Sequence, residues 1–286
     1  MTGEVQTDFS IGKDPNGRFN ARNFPWWLVA IIGFLALMSL LILTNPDYNK
    51  AFNFIKGEFG GISGFQAGGL AGFIGTGIAV TIYTTLVAFG VALIIGLLAG
   101  LGRVNSNVVI RNVAITYIEF IRGVPTLVLI FTVAFVIVPS VADTLGISGQ
   151  SISTNTRGII ALAVIYGAFL AEVFRAGIES VPPGQTEAAR SLGLNGRQAM
   201  RHVVLPQAIR NVLPALGNDF IAMLKDSSLI SVLAVRDITQ MARLYAGSTF
   251  RFRESYLVLT FLYLSMTIAL SLFLRWYEKR LRQNAR

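Results

Sequence analysis

The side chains able to do chemistry are few, and their placement is unusual. Glu119 with Arg122, Glu172 with Arg175, and Lys225 with Asp226 each stand inside or against a long apolar run. An ionisable group at the centre of a bilayer costs roughly 2.5–3.5 kcal/mol on insertion scales, so it faces a partner or a wet cavity. Residues three apart share a helical face, so Glu119 can pair with Arg122 and Glu172 with Arg175. For the two arginines, pairing or snorkelling toward the aqueous edge is the favoured reading. The carboxylates of Glu119 and Glu172 are the candidates for lining a cavity. Lys225 and Asp226 either line such a path or mark a helix break that positions Ser227 and Ser228. Catalytic chemistry finds little to work with. The single histidine, His202, sits beside Arg201 with no cysteine in the chain, which describes a solvated loop position and not a metal site. The Gly12-Lys13 pair lacks the leading glycine and following hydroxyl of a nucleotide phosphate loop. The chain is therefore expected to be no enzyme and to hold no cofactor of its own.

These groups must be positioned by helices within a membrane. Hydrophobic residues make up 53% and charged ones 14%, where a soluble domain carries about 25% charged residues. The 24 Lys and Arg exceed the 15 Asp and Glu, but they gather at the ends of apolar runs and form no single stripe for nucleic acid. A helix crosses the hydrocarbon with roughly 20 apolar residues. Six runs qualify: Trp26 to Thr44, Gly72 to Leu101, Val108 to Val138, Gly158 to Phe174, Asn211 to Val235 and Ser255 to Leu274. The fold class is an all-α integral membrane protein with six transmembrane helices. The glycines of the second run, Gly90, Gly96 and Gly100, read as close helix packing. The expected division is a tail over 1–25, the first span over 26–44, an outer segment over 45–71, a core over 72–276 and a basic tail over 277–286. A short interfacial helix is expected near Tyr48 to Lys56.

Loop cations set the orientation. Most Lys and Arg fall on one side if both termini are cytoplasmic. Arg236, Arg243, Arg251 and Arg253 break the rule, because they fall outside.

The most specific pattern lies between the fourth and fifth spans, over 185–206. It reads Glu187-Ala188-Ala189, then Gly193, then Val203, Leu205 and Pro206. Pro182, Pro183 and Gly184 end the fourth span. Thr186 can cap a short helix with Glu187 at its positive end, and Gly193 suits the left-handed residue that closes it. Asn195 and Gln198 give a capping-box start to a second helix, which Pro206 is expected to limit. Ala188 and Ala189 would leave a small-residue surface for close approach by another protein.

This spacing resembles the EAA loop of permease subunits in type I ATP-binding-cassette importers, where Ile is commoner at the position of Val203. Glu119-Phe120-Ile121-Arg122-Gly123-Val124-Pro125, Ala171-Glu172-Val173-Phe174-Arg175-Ala176-Gly177 and Leu224-Lys225-Asp226-Ser227-Ser228-Leu229 extend the resemblance to the polar amino-acid branch over about 72–276. Val124 stands where that branch has Thr. The resemblance implies that the loop is a cytoplasmic coupling helix, with Glu187, Ala188, Ala189, Gly193, Leu205 and Pro206 docking on an ATP-binding subunit. Glu119, Glu172, Lys225, Asp226 and Ser227 become candidates for the substrate path. It implies an inner-membrane protein with a pair of ATP-binding subunits carrying ATP and Mg, a solute-binding protein outside, and a second copy or a similar permease. The alternatives are a permease of the same class for another small solute, or an ion channel, which would leave the loop without a purpose.

The orientation has a direct check. A reporter fused after Arg286 is expected to be active only in the cytoplasm and one placed within 143–153 only outside; the reverse pattern overturns the assignment.

Overall fold

The computed structural model describes residues 26–58 and 75–283, with side chains described through residue 280. The expected tail over 1–25, the start of the second run at Gly72 and the 71/72 boundary lie outside the described residues. The chain divides into two compact units, Met1–Lys50 and Ala51–Arg286.

Helix α1 (Trp26–Thr44), in the first unit, has 19 residues and no charge. At 1.5 Å per residue it extends ~28 Å, close to the hydrocarbon thickness. Helix α2 (Pro46–Lys56) follows directly and begins two residues before the expected Tyr48. Asn45 is the joint: its Oδ1 accepts the Asp47 N–H at 2.9 Å while its own N–H still bonds Leu41 O at 2.9 Å.

The second unit is built on α3 (Ile78–Arg103), α4 (Val108–Gly123), α5 (Thr126–Phe131), α6 (Val138–Thr144) and α7 (Thr154–Glu179). These are followed by α8 (Pro183–Ser191), α9 (Gly196–Ala199), α10 (Leu205–Asp226), α11 (Ile238–Thr249) and α12 (Phe252–Gln283). Helices α3 and α7 make the most extensive interface. Ala88, Ala92, Gly96 and Gly100 recur every fourth residue along α3 and are all buried, so one stripe has almost no side chain. A Cβ at Gly96 would stand 2.7 Å from Leu170 Cβ, and one at Gly100 would stand 3.0 Å from Ala171 O. Gly90 does not share this role; nothing lies within 4 Å of its missing Cβ. It points with Leu86, Val87, Ile94, Leu97 and Leu98, which are apolar and exposed. In water that face would be a liability, whereas in hydrocarbon it is the ordinary surface.

Hydroxyls tie the helices across their faces. Thr84 Oγ1 donates to Asn155 Oδ1 at 2.9 Å, and Tyr117 OH donates to Val164 O at 2.5 Å.

The expected third span is not one helix. Pro125 cannot continue the ladder of α4, and it disfavours the helical conformation at Val124, which is extended (φ −112, ψ 139). The apolar span runs instead from Thr126 to Thr144, through a π segment over Thr132–Ile137. The expected fifth span is also broken, because α10 ends at Asp226 and a 3-10 segment continues over Ser227–Leu233. Five described helical runs are long and apolar enough to cross a bilayer: 26–44, 78–103, 126–144, 154–179 and 252–280. Helix α10 is outside that set because its Asn, Gln, Pro and charged residues lower its hydropathy.

Opposite outcomes are expected at two glycines of α3. Gly96→Ala overpacks the α3–α7 contact, at a cost of about 1–3 kcal/mol, and should lower the melting temperature of the detergent-solubilised protein. Gly90→Ala meets open space and gains up to ~1 kcal/mol of helix propensity, so its melting temperature should hold or rise.

Candidate functional site: the loop after the fourth span and the charges behind it

The loop is ordered by local chemistry at every turn. Pro183 occupies the first position of α8, where its missing N–H is no loss. The helix thus begins before Thr186, which lies within it and does not cap it. At the other end Gly193 has φ +87. Leu194 N–H bonds Ala189 O at 3.2 Å and Gly193 N–H bonds Arg190 O at 3.0 Å. Those two bonds make a Schellman closure around a left-handed residue. Asn195 then accepts Gln198 N–H on Oδ1 at 2.9 Å and donates its own N–H to Gln198 Oε1 at 2.9 Å, which completes the capping box.

Pro206 does not limit this second helix. The backbone runs from Gly196 through a π turn over Met200–Val204 into α10. The wider turn accommodates a ring that would strike the carbonyl one turn earlier, so the helix bypasses the proline. Nor do the two alanines form one surface. Ala189 is buried, Ala188 is exposed, and the most prominent apolar group is Leu192, 85% exposed. The sequence reading passed over Leu192, although an apolar residue just before a helix-closing glycine is a plain signal.

The loop is anchored to the membrane helices behind it. Val181, Val204 and Ala208 form a small buried cluster with Ile178. Asn211 Nδ2 donates to Ser180 Oγ at 2.8 Å. Gly177 has no side chain because Val212 fills its place; a Cβ there would lie 1.9 Å from Val212 Cγ2. Displacement of α8 must therefore pull on both α7 and α10.

The expected pairings hold only in part. Glu172 does meet Arg175, at 2.9 Å, but it also meets Arg103, and Arg175 reaches on to Glu179. Both oxygens of Glu172 are thus engaged by guanidiniums, and its side chain is 18% exposed. Glu119 faces Arg103 at 3.6 Å and not Arg122. Arg122 is exposed and has no ion pair among the described residues. The expected Glu172–Arg175 pair is present, and Arg103 is a second partner that links α3 to α7.

A second group of charges lies at the far end of α10. Asp226 Oδ2 accepts the Tyr166 hydroxyl at 2.8 Å. Asp219, one heptad earlier on the same face, has a buried Oδ2 with no hydrogen-bond partner among the described residues. Lys225 is exposed beside them, and Ser227 is wholly buried with its hydroxyl on Leu224 O at 2.7 Å. Lys225 and Asp226 do mark a helix end. Asp219 was not singled out from sequence; its seven-residue spacing from Asp226 was the available signal. Beyond this break Asp237 is buried, caps α11 through Gln240 N–H at 2.9 Å, and has no ion pair among the described residues. Burial pushes its carboxyl up to about 6 against the lowering effect of that hydrogen bond.

Together these features describe a multi-span membrane component with a capped loop between two long helices and charged groups set against its apolar spans. The family model described as binding-protein-dependent transport system inner membrane component matches residues 92–283, and the chain belongs to that family. It is 35% identical over 204 residues to the probable glutamine ABC transporter permease protein GlnM of Bacillus subtilis, covering 71% of this chain and 91% of that one. It is 32% identical over 206 residues to the glutamine transport system permease protein GlnP of Escherichia coli K12, covering 72% and 91%. A crystal structure of an amino acid ABC transporter with histidines matches with TM-score 0.65 at 40% identity, over 71% of this chain and 92% of that chain. The fold is shared with the MetNI methionine transporter at TM-score 0.55 and 20% identity.

Glu172→Gln leaves two guanidiniums short of a carboxylate, which is costlier than losing an exposed pair. It is expected to lower both the melting temperature and the maximal uptake rate, with half-saturation for substrate unchanged. Arg122→Gln should leave stability unaltered. A change confined to half-saturation in the Glu172 variant would return that residue to the substrate path.

Proposed function

We propose that the chain carries a polar amino acid across the inner membrane as the permease of an ATP-driven importer, with both termini cytoplasmic. The observation that carries the proposal is the loop over 185–206, closed by Gly193 and opened by Asn195, which presents Ala188 and Leu192 while anchored to both α7 and α10. Such a lever suits a cleft on an ATP-binding subunit, where ATP and Mg belong. Two copies, or this chain and a similar permease, enclose the path between them. A solute-binding protein supplies the substrate outside. Closure of the ATP-binding pair moves the loops and switches the side on which the path is open.

Amino-acid cargo is supported by the names of the relatives and by the charges near the end of α10. An α-amino acid brings an ammonium and a carboxylate, and Asp219, Asp226 and Lys225 offer both complementary signs within two turns of helix. Ser227 fixes the break that brings them there. Glu119 belongs at the cytoplasmic edge of this path, beside Arg103.

The loop is tested by backbone strain and by bulk. Nothing crowds Gly193, so Gly193→Val acts through its positive φ alone, at ~1 kcal/mol or more. The assembled importer carrying Gly193→Val or Ala188→Trp should insert normally, yet lose most stimulation of ATP hydrolysis by substrate-loaded binding protein. Full coupled transport in both variants would reduce the loop to a connector.

A further inference from the structure

The four arginines that broke the loop-charge rule fall on and around α11. This helix lies beyond the far end of α10 from the coupling loop. Between them run the 22 residues of α10, ~33 Å of helix, and the 3-10 segment over Ser227–Leu233. Whichever membrane face the coupling loop occupies, α11 is placed at the other. Its inward face is apolar: Ile238, Ala242, Tyr245 and Ala246 are buried. Its outward face carries Arg236 just before the helix and then Arg243 and Leu244, all exposed. Past its end come Phe250, 79% exposed, then Arg251, Phe252 and Arg253. The sole acid between residues 236 and 253 is Asp237, and it is wholly buried. Glu254 follows, with its carboxylate 4.0 Å from Arg253.

Phe250 adds an independent observation. It holds φ +57 and closes α11 with its N–H on Ala246 O at 2.8 Å. A bulky aromatic is a poor choice for a left-handed closing residue, where glycine or asparagine is unstrained. Such strain persists where the side chain is wanted for something besides the fold. Here it holds a ring outward among arginines, a combination common at the centres of protein interfaces.

We propose that the outward face of α11 and the turn into α12, with Phe250 as apolar anchor and Arg243 and Arg253 as cationic contacts, is the docking surface for an acidic patch on the solute-binding protein. The proposal rests on the importer reading and names where its outer partner sits. Charge complementarity selects that partner: the surface is cationic on the side where loop cations are otherwise few, and exposed arginines steer a partner of opposite charge. It also accounts for the departure from the loop-charge rule, since these cations serve recognition.

The test uses the assembled importer in lipid nanodiscs and the substrate-loaded binding protein that stimulates its ATPase. Arg243→Glu with Arg253→Glu should raise the half-saturating concentration of binding protein roughly tenfold and flatten its rise between about 50 and about 300 mM salt. Phe250→Asn suits the left-handed backbone, so it should fold at least as well while weakening binding several-fold with the salt response intact. Basal ATP hydrolysis should be unchanged in both. Wild-type half-saturation in both variants overturns the surface while leaving the importer reading in place. Impaired reconstitution into anionic vesicles with unaltered half-saturation would make these residues lipid anchors and also overturn it. A wild-type importer that no loaded binding protein stimulates would overturn the functional reading itself.

Discussion

Two helix backbones can approach closely only where side chains are nearly absent, and the rest of this molecule depends on that approach between α3 and α7. In hydrocarbon there is no gain from hiding apolar surface against apolar surface, so association relies on close contact and hydrogen bonds. The stripe Ala88, Ala92, Gly96 and Gly100 supplies the contact, and Leu170 and Ala171 receive it. Because the two helices run so near, Arg103 at the end of one reaches Glu172 on the other. The charge cluster is thus a product of the glycines as much as of its own residues. It also fixes where α7 leaves the membrane, and hence where α8 begins.

From that fixed point outward, the chain alternates stiff and yielding pieces. The loop over 185–206 is stiff, since its caps are satisfied and Gly177 locks against Val212. Helix α10 transmits whatever the loop receives. It then stops at Asp226, where ordinary helical bonding gives way to a 3-10 segment that ends on Ala234 in the left-handed conformation. A single helix thus joins the loop over 185–206 to the neighbourhood of Asp219 and Asp226, the connection that the proposed transport cycle would use.

Much of this was legible in the order of residues, and the misses have a common cause. Hydropathy marks α1, α3, α7 and α12 because each contains a long, predominantly apolar run whose signal is local. Gly193, Asn195 and Gln198 were legible for the same reason, since a cap is made by neighbours in sequence. Partners distant in sequence were not. Glu119 has Arg122 as its neighbour along the chain, yet it faces Arg103 from another helix. Gly90 and Gly96 look alike in sequence, and only the position of α7 separates a contact from open space. Pro206 was read by the general rule for helix interiors, which the π turn before it sets aside. Asp219 lacked a visible role because its isolation arises from folding.

The π turn over Met200–Val204 has one more consequence, which concerns angle and not length. A turn of that kind takes up about one residue more than an α turn, so everything after it is rotated by roughly 100° around the axis relative to an unbroken helix. The stretch from Asn195 to Asp219 therefore works as a phase setting. It decides which compass direction Asp219 and Asp226 face once the loop has been seated. A chain one residue shorter here would keep every cap, every apolar run and nearly the same reach. It would nevertheless turn those two carboxylates away from Tyr166. Insertions and deletions at this turn are thus constrained by orientation as well as by packing.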